Sequence, residues 1–207
     1  MNQLQTKRNI EIKIKYLMDR IFAAILLILL SPLMLLIYIG VRVTSKGPGI
    51  FTQVRVGMGN KDFKIYKFRT MRTGSESGSF TLEGKDDDRI TTFGKFLRKL
   101  SLDELPQLIN ILKGDMSFIG PRPTLRYQVD KYNNTQMRRL EMKPGLTGWA
   151  QVNGRNSIPW SKRIEHDVWY IDNYSLLLDI KILIKTIGVL FKQDIIYGES
   201  DDISKCN

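Results

Sequence analysis

The sequence predicts a helix-rich α+β fold: an N-terminal membrane helix, then a small domain with a short β-hairpin and amphipathic interfacial helices. Three observations lead there. Residues 21–40 read IFAAILLILLSPLMLLIYIG, 20 positions without a charge, enough to cover a hydrocarbon core of about 30 Å. Two alternating segments, FTQVRVG and DFKIYKF, flank the turn GMGNKD and read as a hairpin. Further along, apolar residues recur at i, i+3, i+4 and i+7, the spacing of one helix face. Gly47-Pro48-Gly49 punctuates the exit from the apolar run and divides the chain into residues 1–48, membrane helix and flanks, and 49–207, a membrane-associated domain.

The apolar run is longer than the core of a signal peptide, and no small-residue cleavage pattern follows it, so it is expected to be retained. Lys7, Arg8, Lys13, Lys15 and Arg20 precede it, and Arg42, Lys46, Arg55, Lys61, Lys64 and Lys67 follow it. Basic flanks favour the cytoplasmic side. With both flanks basic, a straight span strands one of them outside. Pro32 lacks an N–H and clashes with the carbonyl four residues earlier, and Ser31 can bond back to the backbone at a bend. A re-entrant helix broken at Ser31-Pro32, dipping into one leaflet and returning, keeps both flanks cytoplasmic. A Pro-kinked span is the alternative.

Residues 72–88, RTGSESGSFTLEGKDDD, read as a surface loop. From Phe93 to Leu112 the pattern is helical, with one stripe of Phe93, Phe96, Leu97 and Leu100 and a second of Leu105, Leu108, Ile109 and Leu112. IGPRP at 119–123 and PGLTGWAQVNGR at 144–155 are rich in Gly and Pro and read as loops. In 176–192, LLLDIKILIKTIGVLFK, Ile180, Leu183, Ile184, Ile187 and Phe191 share a face that Lys181, Lys185 and Lys192 avoid. That suits a helix on an anionic membrane surface, and equally an ordinary core-facing helix.

Thirty-two Lys and Arg against 21 Asp and Glu give a net charge of +11, which points to an anionic partner. The basic residues are spread through the chain and no nucleic-acid motif is present, which argues against nucleic acid. The one cysteine, Cys206, excludes an internal disulfide and fits a reducing compartment. No Walker A loop, G-x-G-x-x-G or Cys/His cluster occurs, so the familiar nucleotide cradles and zinc are not indicated. His166, the single histidine, reads as structural or surface.

The chemistry concentrates in LRKLSLDELPQLINILKGD. Asp103 and Glu104 are adjacent, and Pro106 places them in the first turn of a helix, at the positive end of its dipole. Ser101-Leu102-Asp103-Glu104 also matches a capping box, which needs no catalysis. Arg98, Arg122 in GPRP, Lys67 and Arg69 in YKFRTM, and Arg155 supply cations nearby in the motifs. Cations with paired carboxylates suit a phosphorylated substrate held with Mg²⁺.

YKFRTM, LSLDELPQLINILKGDMSFIGPRP and KPGLTGWAQVNGRN together resemble the bacterial sugar transferase family, the monotopic phosphoglycosyl transferases that act on polyprenyl phosphate. The resemblance runs from about Ile14 to Ile195, and the chain is similar to the small form of the family. It implies a re-entrant helix at Ser31-Pro32 and a place on the cytoplasmic face of the bacterial inner membrane. It implies that Asp103 is the nucleophile toward a UDP-sugar and that Glu104 binds Mg²⁺. The sugar-phosphate then passes to undecaprenyl phosphate and UMP leaves, opening the synthesis of a capsule, exopolysaccharide, O-antigen or glycoprotein glycan. Arg98, Arg122 and Arg155 match family positions near the phosphates, and Lys67, Asp167 and Asp179 match polar family positions. A homodimer is compatible with the sequence. Two other classes remain: a basic membrane-surface scaffold without catalysis, indifferent to Asp103, and a hydrolase of lipid-linked diphosphates using the same carboxylates.

Overall fold

The structure, a computed structural model, describes residues 3–73, 88–154 and 157–190. The N-terminal helix α1, Gln3–Thr44, is 42 residues long, about 63 Å at the usual rise per residue. It is long and apolar enough to cross a membrane. It stays helical through Ser31 and Pro32, where a break was expected. The reason is local. Pro32 has no N–H for the Ile28 carbonyl, and the Ser31 hydroxyl donates to that carbonyl instead, at 2.8 Å. The group that proline orphans is thereby satisfied without water.

The inward face of α1 is a wall shared by three cores. Ile12 packs against Ile119, Tyr170, Ile171 and Ile182. Ala23, Leu26, Leu27 and Leu30 meet Ile65, Leu108, Ile111 and Met116. Met34, Ile37 and Val41 meet Phe68, Phe93 and Leu97. The opposite face is apolar and uncovered: Ile28, Leu29, Leu36 and Val43 are each two-thirds or more exposed.

The predicted hairpin is present. Strands β1, Ile50–Val56, and β2, Asp62–Phe68, pair antiparallel with Val54 opposite Lys64. A single 3₁₀ turn, Met58–Asn60, joins them. The helical stretch predicted over 93–112 divides in three: α2, Thr92–Lys99, a 3₁₀ turn, Leu102–Glu104, and α3, Gln107–Lys113. Leu108 and Ile111 are the buried apolar residues of α3, while Ile109 and Leu112 face outward. Phe96 and Leu100 are likewise half exposed, with Leu97 the fully buried member of its stripe.

The two Gly/Pro-rich segments hold more regular structure than their composition suggests. Strand β3, Ser117–Ile119, pairs in parallel with β4, Gly145–Thr147. Between them lie two one-turn helices, α4, Arg126–Val129, and α5, Asn134–Met137. The glycines serve close approach: a Cβ on Gly120 would strike Lys143 O, and one on Gly145 would strike Gly120 N. Helix α6, Trp149–Val152, follows β4 directly.

Helix α7, Trp160–Asp172, was not anticipated, although Trp160, Ile164, Val168 and Ile171 bury its inner stripe. Helix α8, Leu176–Leu190, was anticipated. Its predicted face of Ile180, Leu183, Ile184 and Ile187 is exposed, and Asp179 and Ile182 turn inward. The core-facing alternative is therefore excluded for that face. Residues 74–87 of the predicted loop, and Phe191, Lys192, Ile195 and Cys206, lie outside the described residues.

One polar side chain joins the hairpin to α3. Asn110, fully buried, donates from Nδ2 to Lys64 O at 2.7 Å and accepts at Oδ1 from Tyr66 N at 3.1 Å. Replacing it orphans two backbone groups of β2. Asn110→Ala is expected to cost about 2–4 kcal/mol, read as a fall of several degrees in melting temperature. An unchanged melting temperature would contradict this role.

Candidate active site

Asp103 and Glu104 lie in the 3₁₀ turn between α2 and α3. The chain enters that turn through Ser101, whose φ of 54° is in the left-handed region. A non-glycine residue there stores strain of about 1–3 kcal/mol. This conformation also prevents the predicted capping box, since a cap residue needs extended φ/ψ. The Ser101 side chain makes no capping bond, and Glu104 N is bonded by the Ser101 carbonyl at 3.2 Å instead. The carboxylate pair is thus not explained as a helix cap.

Three predicted cations gather here, each from a different element. Lys67, near the end of β2, donates from Nζ to Glu104 Oε1 at 2.7 Å. Arg122 Nη2 is 3.9 Å from the same oxygen. Arg98, in the last turn of α2, is fixed by an Nε bond to Thr70 Oγ1 at 2.8 Å and lies close enough to act on the charge of Asp103. Asp103 is buried, and burial, together with the neighbouring Glu104 charge, raises its carboxyl above the usual 3.8, against the pull of Lys67 and Arg98.

The other predicted residues have different posts. Arg69 is buried and donates from Nη2 to Ser45 O at 2.8 Å, tying β2 to the end of α1. Asp167 forms a buried ion pair with Arg139. Asp179 takes Lys15 Nζ at 2.7 Å and the Tyr170 hydroxyl at 2.7 Å, joining α1 to α7 and α8. Burial raises the Asp179 carboxyl, opposed by Lys15. His166 lies on α7 beside Asp167. Arg155 lies outside the described residues.

Sequence reasoning missed Arg139. Its guanidinium donates to Asp167, to Tyr132 Oη at 2.6 Å and to the Arg122 carbonyl at 3.2 Å. The GPRP loop is therefore held by a buried cation, while Val56 N bonds Thr124 O at 2.9 Å from the hairpin side. An arginine with no pattern around it gives no sequence signal for this role.

Two adjacent carboxylates ringed by three cations can do one thing well. They can hold an anion such as a diphosphate while presenting an oxygen nucleophile to it. Hard carboxylate oxygens also fit Mg²⁺, which takes one or two protein carboxylates and completes its shell with phosphate and water. No cluster of three or more His, Cys, Asp or Glu suited to a protein-only metal cage occurs among the described residues.

Comparison with known proteins places these motifs. The model of the bacterial sugar transferase family matches residues 10–193. The chain is 49% identical over 174 residues to the sugar transferase EpsL of Bacillus subtilis, covering 84% of this chain and 85% of that one. It is 48% identical over 181 residues, 83% of this chain, to the UDP-glucose:undecaprenyl-phosphate glucose-1-phosphate transferase of Xanthomonas campestris. It is 47% identical over 183 residues, 86% of this chain, to the UDP-N-acetylgalactosamine-undecaprenyl-phosphate N-acetylgalactosaminephosphotransferase of Aeromonas hydrophila. The aligned regions are 37% and 43% of those two longer relatives.

The raised Asp103 carboxyl has a consequence for stability. A group with a raised folded pKa contributes stability that is fully present below its unfolded value and is lost as pH rises through its folded value. At neutral pH the buried carboxylate opposes folding, and a neutral isostere does not. Asp103→Asn is expected to melt above the parent at about pH 7, with the gap closing toward about pH 4. A lower melting temperature for the variant at neutral pH would contradict the shift.

Proposed function

The chain belongs to the bacterial sugar transferase family, and we propose that it transfers a sugar 1-phosphate from a UDP-sugar to undecaprenyl phosphate. The observation that carries this reading is the adjacent Asp103–Glu104 pair, with Asp103 buried, gathered with Lys67, Arg98 and Arg122. The names of the relatives in Xanthomonas and Aeromonas supply the substrate class.

In the proposed reaction an Asp103 carboxylate oxygen attacks the β-phosphorus of the UDP-sugar. The bond to the bridging oxygen breaks and UMP leaves with its electron pair. The carboxylate then carries the sugar-phosphate as an acyl phosphate. A phosphate oxygen of undecaprenyl phosphate attacks the same phosphorus, forming the lipid diphosphosugar and returning Asp103 to its carboxylate. Splitting one displacement in two lets each partner bind in turn. Lys67, Arg98 and Arg122 offset the charge that gathers on the phosphoryl oxygens. Glu104, with Asp103 beside it, is the residue that would hold Mg²⁺, which supplies charge neutralisation to the diphosphate and the departing UMP. Arg155 is assigned to the phosphates on the family motif alone. The reaction would open the assembly of a surface glycan.

The seating of α1 supports a monotopic arrangement. Its bonds to the domain run from Arg8, which donates to Ile171 O, to Val41 in the Phe68 core. A perpendicular crossing would carry that domain, with Lys64, Lys113 and Asp115, into the hydrocarbon, where charged side chains are costly. A one-sided seating sets only the uncovered apolar faces of α1 and α8 in lipid. Both ends of α1 then stay on the cytoplasmic face of the inner membrane.

Two experiments test the proposal. Given a UDP-sugar alone, the purified chain should release about one equivalent of UMP, as expected of a covalent intermediate. It should gain the mass of one sugar-phosphate on the peptide containing Asp103. Polyprenyl phosphate should discharge the adduct, while chelation of Mg²⁺ or Asp103→Asn should stop release. An active Asp103→Asn, or an adduct elsewhere, would overturn the assignment.

For topology, Lys7→Cys and Lys61→Cys, each in a Cys206→Ser background, should both resist an impermeant thiol reagent in intact cells. Labelling of one site alone would establish a span.

A further inference from the structure

The rim of α8 carries a cluster that the proposed chemistry does not use. Trp149 of α6 stacks on Trp169 of α7, with ring centroids 4.8 Å apart and planes 24° from parallel. Lys185 Nζ lies 4.8 Å and Lys181 Nζ 5.9 Å from the centre of the Trp149 ring. Two ammonium groups are thus drawn to one indole. Lys185 also donates to Asn153 Oδ1 at 3.2 Å, a neutral group. No carboxylate pairs with either lysine among the described residues.

The placement on α8 is specific. At 100° per residue, Ile180, Ile184, Leu177, Ile187 and Leu183 occupy the outward arc, and Ile182 and Asp179 the inward one. Lys181 and Lys185 fall at one border of the apolar arc, above Trp149. With that arc in acyl chains, the two lysines reach headgroup level, where long basic side chains and indoles settle. Trp169, 43% exposed, presents its ring at the same border.

We propose that Trp149, Trp169, Lys181 and Lys185 form a headgroup site for an anionic phospholipid, taking its phosphodiester between the two ammonium groups with the indoles beneath. The lipid phosphate supplies the negative charge that the paired lysines lack within the chain, and the α8 apolar arc accompanies its acyl chains. The assignment to a bulk phospholipid follows from the paired ammonium groups, which call for a phosphate, and from the apolar arc of α8 beside them, which calls for acyl chains. The site rests on the one-sided seating proposed above, and is independent of the chemistry at Asp103.

The test uses the full chain in phosphatidylcholine nanodiscs and its own tryptophan emission. Spin-labelled lipids of matched headgroup depth, one with the net charge of phosphatidylglycerol and one zwitterionic, are added at equal mole fraction. Two lysines at the strength usual for basic residues at an anionic surface give local enrichment of about thirtyfold. The anionic probe should therefore quench far more than the neutral one. Lys181→Gln with Lys185→Gln should bring the two probes level, and the paired Lys→Arg variant should restore the difference. Equal quenching in the parent, or a preference that survives the paired Gln variant, would overturn the site while leaving the seating intact. No quenching by either probe would overturn both. Loss of the preference on adding one equivalent of polyprenyl phosphate would assign the site to the acceptor and refute the phospholipid assignment. UMP release, measured in parallel, reports separately on the chemistry.

Discussion

The carboxylate pair is only as well placed as α3, and α3 is positioned by the Asn110 side chain. Its amide copies the hydrogen-bonding edge of a strand, giving Nδ2–H to Lys64 O and taking Tyr66 N–H. Its own carbonyl accepts from Gly114, Asp115 and Met116 as the helix ends. One residue thus sets the level of α3 against β2 and closes its C-terminus. Lys67 follows Tyr66 on β2, and Glu104 precedes α3, so the same register brings ammonium and carboxylate to 2.7 Å. The other side of α3 lies on α1 through Leu108 and Ile111. A rotation of α3 would leave buried β2 backbone groups unpaired, each costing about 1–3 kcal/mol. The site is therefore tied to both the hairpin and the membrane helix.

Three charged side chains of α1 and α8 are turned inward while much of the apolar surface of both helices is left uncovered, the reverse of an ordinary water-soluble helix. Lys15, Asp19 and Asp179 are buried with Ser117 and Tyr170, while Ile28, Leu29 and Leu36 of α1 and Ile180, Ile184 and Ile187 of α8 face out. Buried ion pairs contribute little net stability, because desolvation offsets their attraction. Their effect here is orientation. The Lys15–Asp179 and Asp19–Ser117 bonds are made at one rotation of α1, and any other would aim charge into lipid or orphan it against the core. The Ser31 hydroxyl on the Ile28 carbonyl follows the same logic for the backbone, satisfying internally a group that hydrocarbon could not.

What the sequence made legible follows from how local each signal is. The hairpin and α8 were readable because alternation and 3.6-residue spacing are properties of neighbours. The loop reading of 144–155 failed because its glycines serve a contact with Gly120, far along the chain, and not flexibility. The capping box failed at one dihedral angle, that of Ser101, which no pattern records. Lys15, Asn110 and Arg139 were invisible as structural centres, since their partners are 164, 46 and 28 residues away. Asp179 and Asp167 were grouped with the substrate residues from motif position, and in the fold they pair with Lys15 and Arg139. For Lys67, Arg98 and Arg122, charge near a carboxylate pair was enough, and the fold brings all three together.

The site sets opposing demands against each other within a few residues. In the proposed reaction Asp103 must be ionised to attack, yet its carboxyl is raised by burial and by Glu104. Lys67 and Arg98 pull it back, and Lys67 and Arg122 also brace Glu104. A carboxylate stripped of water but held by fixed cations needs little solvent rearrangement when charge shifts toward phosphate oxygens. The cost falls on folding, through a desolvated charge and a left-handed Ser101. Such a turn persists only where its surroundings over-determine it. α2 is pinned by Thr91 N on Thr70 O and by Arg98 on the Thr70 hydroxyl, and α3 is pinned by Asn110. Both anchors lie on the β2 side, so the strained turn spans two fixed points. The rigidity that lets the chain carry this strain is the same rigidity that aims Asp103.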